Sequence, residues 1–106
     1  MLMYKRIETR TLTVGKEIID EILSCPKGKS YKIVSITMSP LANMFLRVYL
    51  GAKQIVDIDS TAMTANAPFL PMDLPLTVGQ VVKAGCFNNT TGNTAARQIT
   101  IGYEEV

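Results

Sequence analysis

Apolar and polar residues alternate with a period of two along several stretches of this 106-residue chain. In "MFLRVYL" (44–50), Met44, Leu46, Val48 and Leu50 fall on one side, with Phe45, Arg47 and Tyr49 on the other. "SYKIVSITMS" (30–39) sets Val34, Ile36 and Met38 against Ser35 and Thr37. "QIVDIDS" (54–60) sets Val56 and Ile58 against Asp57 and Asp59. "RQITIGYEE" (97–105) sets Ile99, Ile101 and Tyr103 against Gln98, Thr100 and Gly102. Successive side chains of a strand point to opposite faces, so alternation in β-branched-rich runs predicts strands buried on one side.

One stretch is less regular. In "VGKEIIDEILSC" (14–25), Ile18, Ile19, Ile22 and Leu23 fit one face of a short helix, with Glu17, Asp20 and Glu21 on the other. The same stretch is short, Ile-rich and bounded by Val14-Gly15 and Cys25-Pro26, and the strand character of everything downstream favours a strand. Turn chemistry separates the runs at "PKGK" (26–29), "SPLAN" (39–43), "GAK" (51–53), "TVG" (77–79) and "NNTTGN" (88–93). The pattern predicts about eight strands, at 5–13, 17–24, 30–39, 44–50, 54–60, 69–76, 80–88 and 96–104, with 44–50 and 54–60 joined as a hairpin. Short strands at regular spacing predict an all-β, antiparallel β-sandwich, jelly-roll-like, formed by residues 1–106 as a single domain. Pro71 and Pro75 share one parity, which suits an edge strand that must not pair further. Residues 1–13 read either as an ordinary edge strand or as an N-terminal arm that adds to a neighbour's sheet.

Composition narrows the function classes. Apolar residues at 47% with 19% charged residues fit a packed core and exclude disorder. The longest apolar runs are only a few residues, which predicts no membrane span. "MLMYKRIETR" places charges where a signal peptide needs its apolar region, so the expected site of synthesis is a cytoplasm. A net charge of +2 is too small to predict nucleic acid as a partner. The charge is uneven along the chain: residues 1–53 hold nine Lys/Arg against four acids, and residues 54–106 hold two against five. Two cysteines do not make a disulfide framework, so Cys25 and Cys86 are expected as free thiols, with Cys86 on the inward parity of Val82 and Ala84.

The candidate chemistry is sparse. The chain has no His, the commonest general base and zinc ligand, and no nucleophile stands at a spacing that supplies it with a base. The expectation is therefore a protein that is not an enzyme and carries no cofactor or metal. Asp57-Ile58-Asp59-Ser60 begins like a calcium loop but lacks the Gly and distal Glu, and reads as a solvated strand face. Lys27, Lys29 and Lys32 form a small basic turn, and the acceptor patterns at Asn88 and Asn89 read as turn chemistry. Phe45 and Tyr49, outward on one strand, admit three readings: covered core, subunit interface, or ligand platform. Lys5, Arg6 and Arg10 on the first strand are the basic interface candidates.

Four phrases taken together carry a resemblance: "PKGKSYKIVSITMS" (26–39), "LRVYLGAKQIVDI" (46–58), "DLPLTVGQVVKAGCFNN" (73–89) and "ITIGYEE" (99–105). They are a Gly-Lys turn into a long strand, a "VYLG" hairpin, an "LPLTVGQ" turn and a final strand ending in acids. Over roughly residues 14–105 the chain resembles small bacteriophage structural proteins with a jelly-roll or related β-sandwich fold, head decoration proteins included. The resemblance implies a virion protein that decorates or stabilises a capsid as a homo-oligomer, a homotrimer above all, alongside other virion proteins. The alternative it leaves is a carbohydrate- or receptor-binding module of a tail or fibre.

Overall fold

The computed structural model describes residues 2–62 and 69–106. Eight strands follow one another: β1 (Leu2–Glu8), β2 (Glu17–Ser24), β3 (Tyr31–Met38), β4 (Met44–Leu50), β5 (Lys53–Asp59), β6 (Leu70–Leu76), β7 (Val81–Asn88) and β8 (Gln98–Glu105). A single 3-10 turn, Ser60–Ala62, is the helical content among the described residues. The strands form two antiparallel four-stranded sheets, in the orders β1-β8-β3-β6 and β2-β7-β4-β5. The pairing is nested: β4 with β5, β3 with β6, β2 with β7 and β1 with β8. Only β4 and β5 make a hairpin, turning at Gly51 with φ 61°. Every other link between successive strands crosses from one sheet to the other, which is the jelly-roll order. The chain is an all-β antiparallel sandwich.

The core lies between the sheets and draws on alternate residues of each. Met44, Leu46 and Val48 of β4 are buried with Val82, Ala84 and Cys86 of β7, and they face Ile33, Ile36, Ile99 and Ile101 from the opposite sheet. The inward sides of β4 and β7 therefore match the alternation of the sequence. Both cysteines are buried and free, and the Cys25 thiol donates to the Lys29 carbonyl at 3.0 Å. The basic N-terminal half and the acidic C-terminal half interleave, because each sheet draws strands from both.

The structure departs from the alternation at bulges. Ile22 of β2 has no partner between the pairs Glu21–Lys83 and Leu23–Val82, so Ile22 and Leu23 are buried side by side. Two consecutive inward residues imitate a helical face, and the stretch is a strand all the same. In β3, Val34 stands unpaired against β8, between Ile33–Tyr103 and Ser35–Gly102. Ile33 and Ile36 are buried and Val34 is only half-buried, which corrects the expected inward set of Val34, Ile36 and Met38. The first strand is also displaced from 5–13 to Leu2–Glu8. Beyond Glu8 the ladder to β8 gives way to single contacts: Thr9 N–H donates to the Arg97 carbonyl, and Leu12 bridges Thr94. Leu12 instead plugs one end of the core with no exposure. β6 is an edge strand, as its prolines predict, with Pro71 and Pro75 on its exposed side. The stretch "TAMTANAPFLPM" (61–72), whose sequence reads as a long loop with apolar members, lies partly outside the described residues.

Two glycines mark places where strands come unusually close. A Cβ on Gly85 of β7 would meet the Ile18 carbonyl carbon at 2.7 Å and the Ile19 Cα at 2.8 Å, both main-chain atoms of β2. A Cβ on Gly102 of β8 would meet the Ser35 Oγ at 2.7 Å and the Tyr4 ring at 3.1 Å, both side chains.

Candidate interaction face

The outer face of the β2-β7-β4-β5 sheet carries a connected set of side chains. Phe45, Arg47 and Tyr49 project outward from β4 because Met44, Leu46 and Val48 are committed to the core. Register then sets Phe45 beside Phe87 of β7, and Arg47 beside Asp57 of β5. The two rings lie nearly parallel, 6° apart, with centroids at 6.4 Å. The Arg47 guanidinium sits 4.4 Å from the centre of the Phe87 ring, in cation–π range. It also donates to Glu17 of β2 at 2.7 Å and to Asp57 at 3.2 Å. The Tyr49 hydroxyl donates to the same Glu17 carboxylate at 2.9 Å. One residue or more from each of four strands is thus tied together on a half-exposed surface.

The electrostatics follow from that geometry. Hydrogen bonding to Glu17 raises the Arg47 guanidinium above its ordinary value, partly offset by desolvation and reinforced by Asp57. Desolvation, with the bond to Glu17, pushes the Tyr49 hydroxyl up. At the rim, the Thr61 N–H holds the Asp59 carboxyl below its usual range against some desolvation, helped by the Thr61 hydroxyl and the Asn43 N–H. Asp57 and Asp59 therefore serve Arg47 and the turn after β5 respectively. A shallow depression of about 270 Å³ adjoins the network, lined by Glu17, Ile19, Tyr49, Gly51, Ala52 and Lys83.

The residues singled out in the sequence do not form one site. Phe45 and Tyr49 are on this face. Lys5 and Arg6 are on β1, at the edge of the other sheet, and both are exposed. Arg10 is not on a strand: it lies in the β1–β2 connection and pairs with Asp20 of β2 at 3.2 Å. Of the basic turn, Lys29 reaches Glu105 at 3.7 Å and Lys32 reaches Asp73 at 3.2 Å. Asn88 is fully buried, donating to the Leu12 and Gly92 carbonyls, so it holds two loops together.

Sequence reasoning set Arg47 outward with Phe45 and Tyr49 without singling it out, and missed Glu17, Asp57 and Phe87 as members of the face. Phe87 was accessible by parity, since it follows the inward Cys86. The Glu17–Arg47 contact was not, because it spans thirty residues and depends on which strands neighbour β7.

No family model and no curated protein matches the chain. Among solved structures, the nucleoplasmin-like N-terminal domain of Drosophila FKBP39 is similar in fold. That similarity has a TM-score of 0.51 at 15% identity and covers 100% of this chain and 91% of that one. Likeness at that identity concerns the arrangement of strands.

Proposed function

We propose that the chain is a non-enzymatic structural subunit of a bacteriophage particle, made in the host cytoplasm. In this reading it decorates or stabilises the capsid as a homo-oligomer in contact with other virion proteins, three copies being the number the resemblance implies. The observation that carries the proposal is the outer face of the β2-β7-β4-β5 sheet. There Arg47 is held by Glu17, Asp57 and Phe87 at once, so aromatic and charged groups are fixed in place before any partner arrives. A pre-ordered surface loses little side-chain entropy on docking, and Arg and aromatic residues are enriched among the anchors of protein interfaces. Jelly rolls serve in viral capsids and in lectins, so the fold is compatible with the role without fixing it.

The test is co-sedimentation with capsids of the cognate phage at two ionic strengths, using the native chain and Arg47→Glu. Retention of the native chain and its loss in the variant support the reading. A second reading, a glycan-binding module, is favoured by the Phe45–Phe87 ring pair beside Asp57 and Asp59. A chain that ignores capsids and is retained by a glycan array replaces the first reading with the second.

A further inference from the structure

Each sheet has two edges, and the four edge strands β1, β6, β2 and β5 differ in how they discourage pairing. β6 carries Pro71 and Pro75, β2 is bulged at Ile22, and β5 is bulged at Ile55. β1 has neither device: its seven residues pair with β8 in unbroken register from Leu2–Glu104 to Glu8–Gln98. The Thr9 N–H faces β8, donating to the Arg97 carbonyl at 2.7 Å. Amide groups alternate sides along a strand, so the N–H groups of Ile7, Lys5 and Met3 are also spent on β8. Those of Tyr4, Arg6 and Glu8 point to the open edge.

Charge governs what this edge accepts. Lys5 pairs in register with Ile101, whose side chain is wholly buried, so Lys5 emerges from the inner side of the sheet at its flank. Neither Lys5 nor Arg6 takes part in an ion pair among the described residues. An antiparallel pairing of β1 with another β1, centred anywhere near its middle, sets these two positive residues against themselves or each other. Like charges directly opposite destabilise a ladder. Pro71 and Pro75 bar a neighbour's β6. The acidic edge is β2, whose Glu17, Asp20 and Glu21 all precede its bulge at Ile22 and stand with no base on the strand. Glu17 already meets Arg47 and Asp20 meets Arg10, so Glu21 is the acid of this edge outside any ion pair among the described residues.

The topology places that acidic edge beside the basic one. β1 lies across from β2 at the same flank of the sandwich, with Arg10 bridging to Asp20. The connection at 9–16 joins them at one end, so they run in opposite directions. We infer that two copies of the chain associate flank to flank about a two-fold axis parallel to the strands, β1 of each pairing with β2 of the other. That operation puts the strands antiparallel, continues inner face into inner face, and brings Lys5 and Arg6 to the partner's acids. Both contacts form at once, which is the economy of an isologous interface. A ring in which β1 meets the neighbour's β5 runs those two strands parallel and forms one such contact per interface. The inference shares with the proposed function the premise that the chain self-associates, and it gives two copies where the resemblance implies three.

The experiment is native mass spectrometry and sedimentation velocity of the full chain, with circular dichroism as the folding control. The native chain is expected as a dimer that weakens as salt rises. Arg6→Pro removes an amide that faces the open edge and is expected to give a folded monomer, whereas Arg6→Gln, which removes only the charge, retains weakened dimer. Lys5→Glu is expected to raise the dimer dissociation constant about tenfold or more, since two symmetric charge pairs are reversed. If Arg6→Pro does not fold, Lys5→Glu and the salt series decide. A dimer or trimer indifferent to Arg6→Pro and Lys5→Glu overturns this contact while leaving a self-associating subunit. A native chain that is monomeric at micromolar concentration and on capsids overturns self-association itself, and this contact with it.

Discussion

Replacing Gly85 by Ala adds one methyl group where β2 and β7 have no room for it. The methyl carbon would lie 2.7 Å from the Ile18 carbonyl carbon and 2.8 Å from the Ile19 Cα, well inside van der Waals contact. Both are main-chain atoms, so relief requires the β2 backbone to withdraw from β7 and part of the ladder around Ile19–Gly85 to open. Overpacking against movable side chains costs about 1–3 kcal/mol, and a backbone obstruction belongs at or above the top of that range. Alanine recovers about 0.5–1 kcal/mol through its smaller entropy loss on folding. A net loss of about 2–3 kcal/mol lowers the melting temperature of a domain of this size by roughly 10–20 °C. Gly102→Ala is the matched control, because Ser35 and Tyr4 can rotate away, and its net cost is about 1 kcal/mol or less. Scanning calorimetry and urea titration of the two variants measure the difference. Equal melting temperatures for Gly85→Ala and the native chain would refute the reasoning, as would a larger loss in Gly102→Ala.

Arg47→Ala removes the contacts to Glu17, Asp57 and Phe87 together; with Asp57 46% exposed, screening limits the sum to about 1–2 kcal/mol, read as a lower urea midpoint. Burial pushes the Cys86 thiol up to about 11, with the Thr9 hydroxyl and the Arg97 charge pulling the other way. The folded state therefore keeps a proton that the unfolded chain releases, and stability is full below the ordinary thiol value of 9.0 and declines toward pH 11. Cys86→Ala is expected to flatten that decline, and native Cys86 to react with thiol reagents far more slowly than after denaturation. Asp59 shows the opposite sign: its lowered carboxyl stabilises the fold above the ordinary value of 3.8, and this is lost as pH falls through the folded value. Urea midpoints at about pH 5 and about pH 2.5 should fall less in Asp59→Asn than in the native chain.

What was legible in the sequence follows the range of the interactions involved. Strand identity and facing in β4 and β7 were readable because burial of alternate residues is a local pattern. The inward sets of β2 and β3 were not fully readable, because one unpaired residue at Ile22 or Val34 shifts the parity, and no local signal distinguishes a bulge from a slip. The edge role of β6 was readable through the missing amides of Pro71 and Pro75. The end of β1 was misplaced because Thr9–Thr13 has strand-like composition, while the real limit is set by where β8 starts, at Gln98. The candidate face was half readable: the outward aromatics of β4 follow from parity, whereas their partners depend on strand order. Glu17 meets Arg47 only because β7, which lies between their strands, has Gly85, a residue without a side chain, at the level of Arg47.

The nested pairing has a consequence for how the chain is made. Only the β4–β5 ladder can close as soon as its residues emerge, since each further pair encloses all those inside it. Pairing that grows outward from a central hairpin is dominated by contacts remote in sequence, which makes folding slow. β1, the first of the eight strands to be synthesised, is then the last to find its place, because its partner β8 is the last of the eight. Throughout translation its Lys5, Arg6 and Glu8 keep a strand-forming segment hydrated while its partner does not yet exist. Pulse-labelled hydrogen exchange during refolding is expected to protect β4 and β5 first and β1 last, and the reverse order would end this account. The charges that set the docking preference of the finished edge are, on the nascent chain, what allows it to wait.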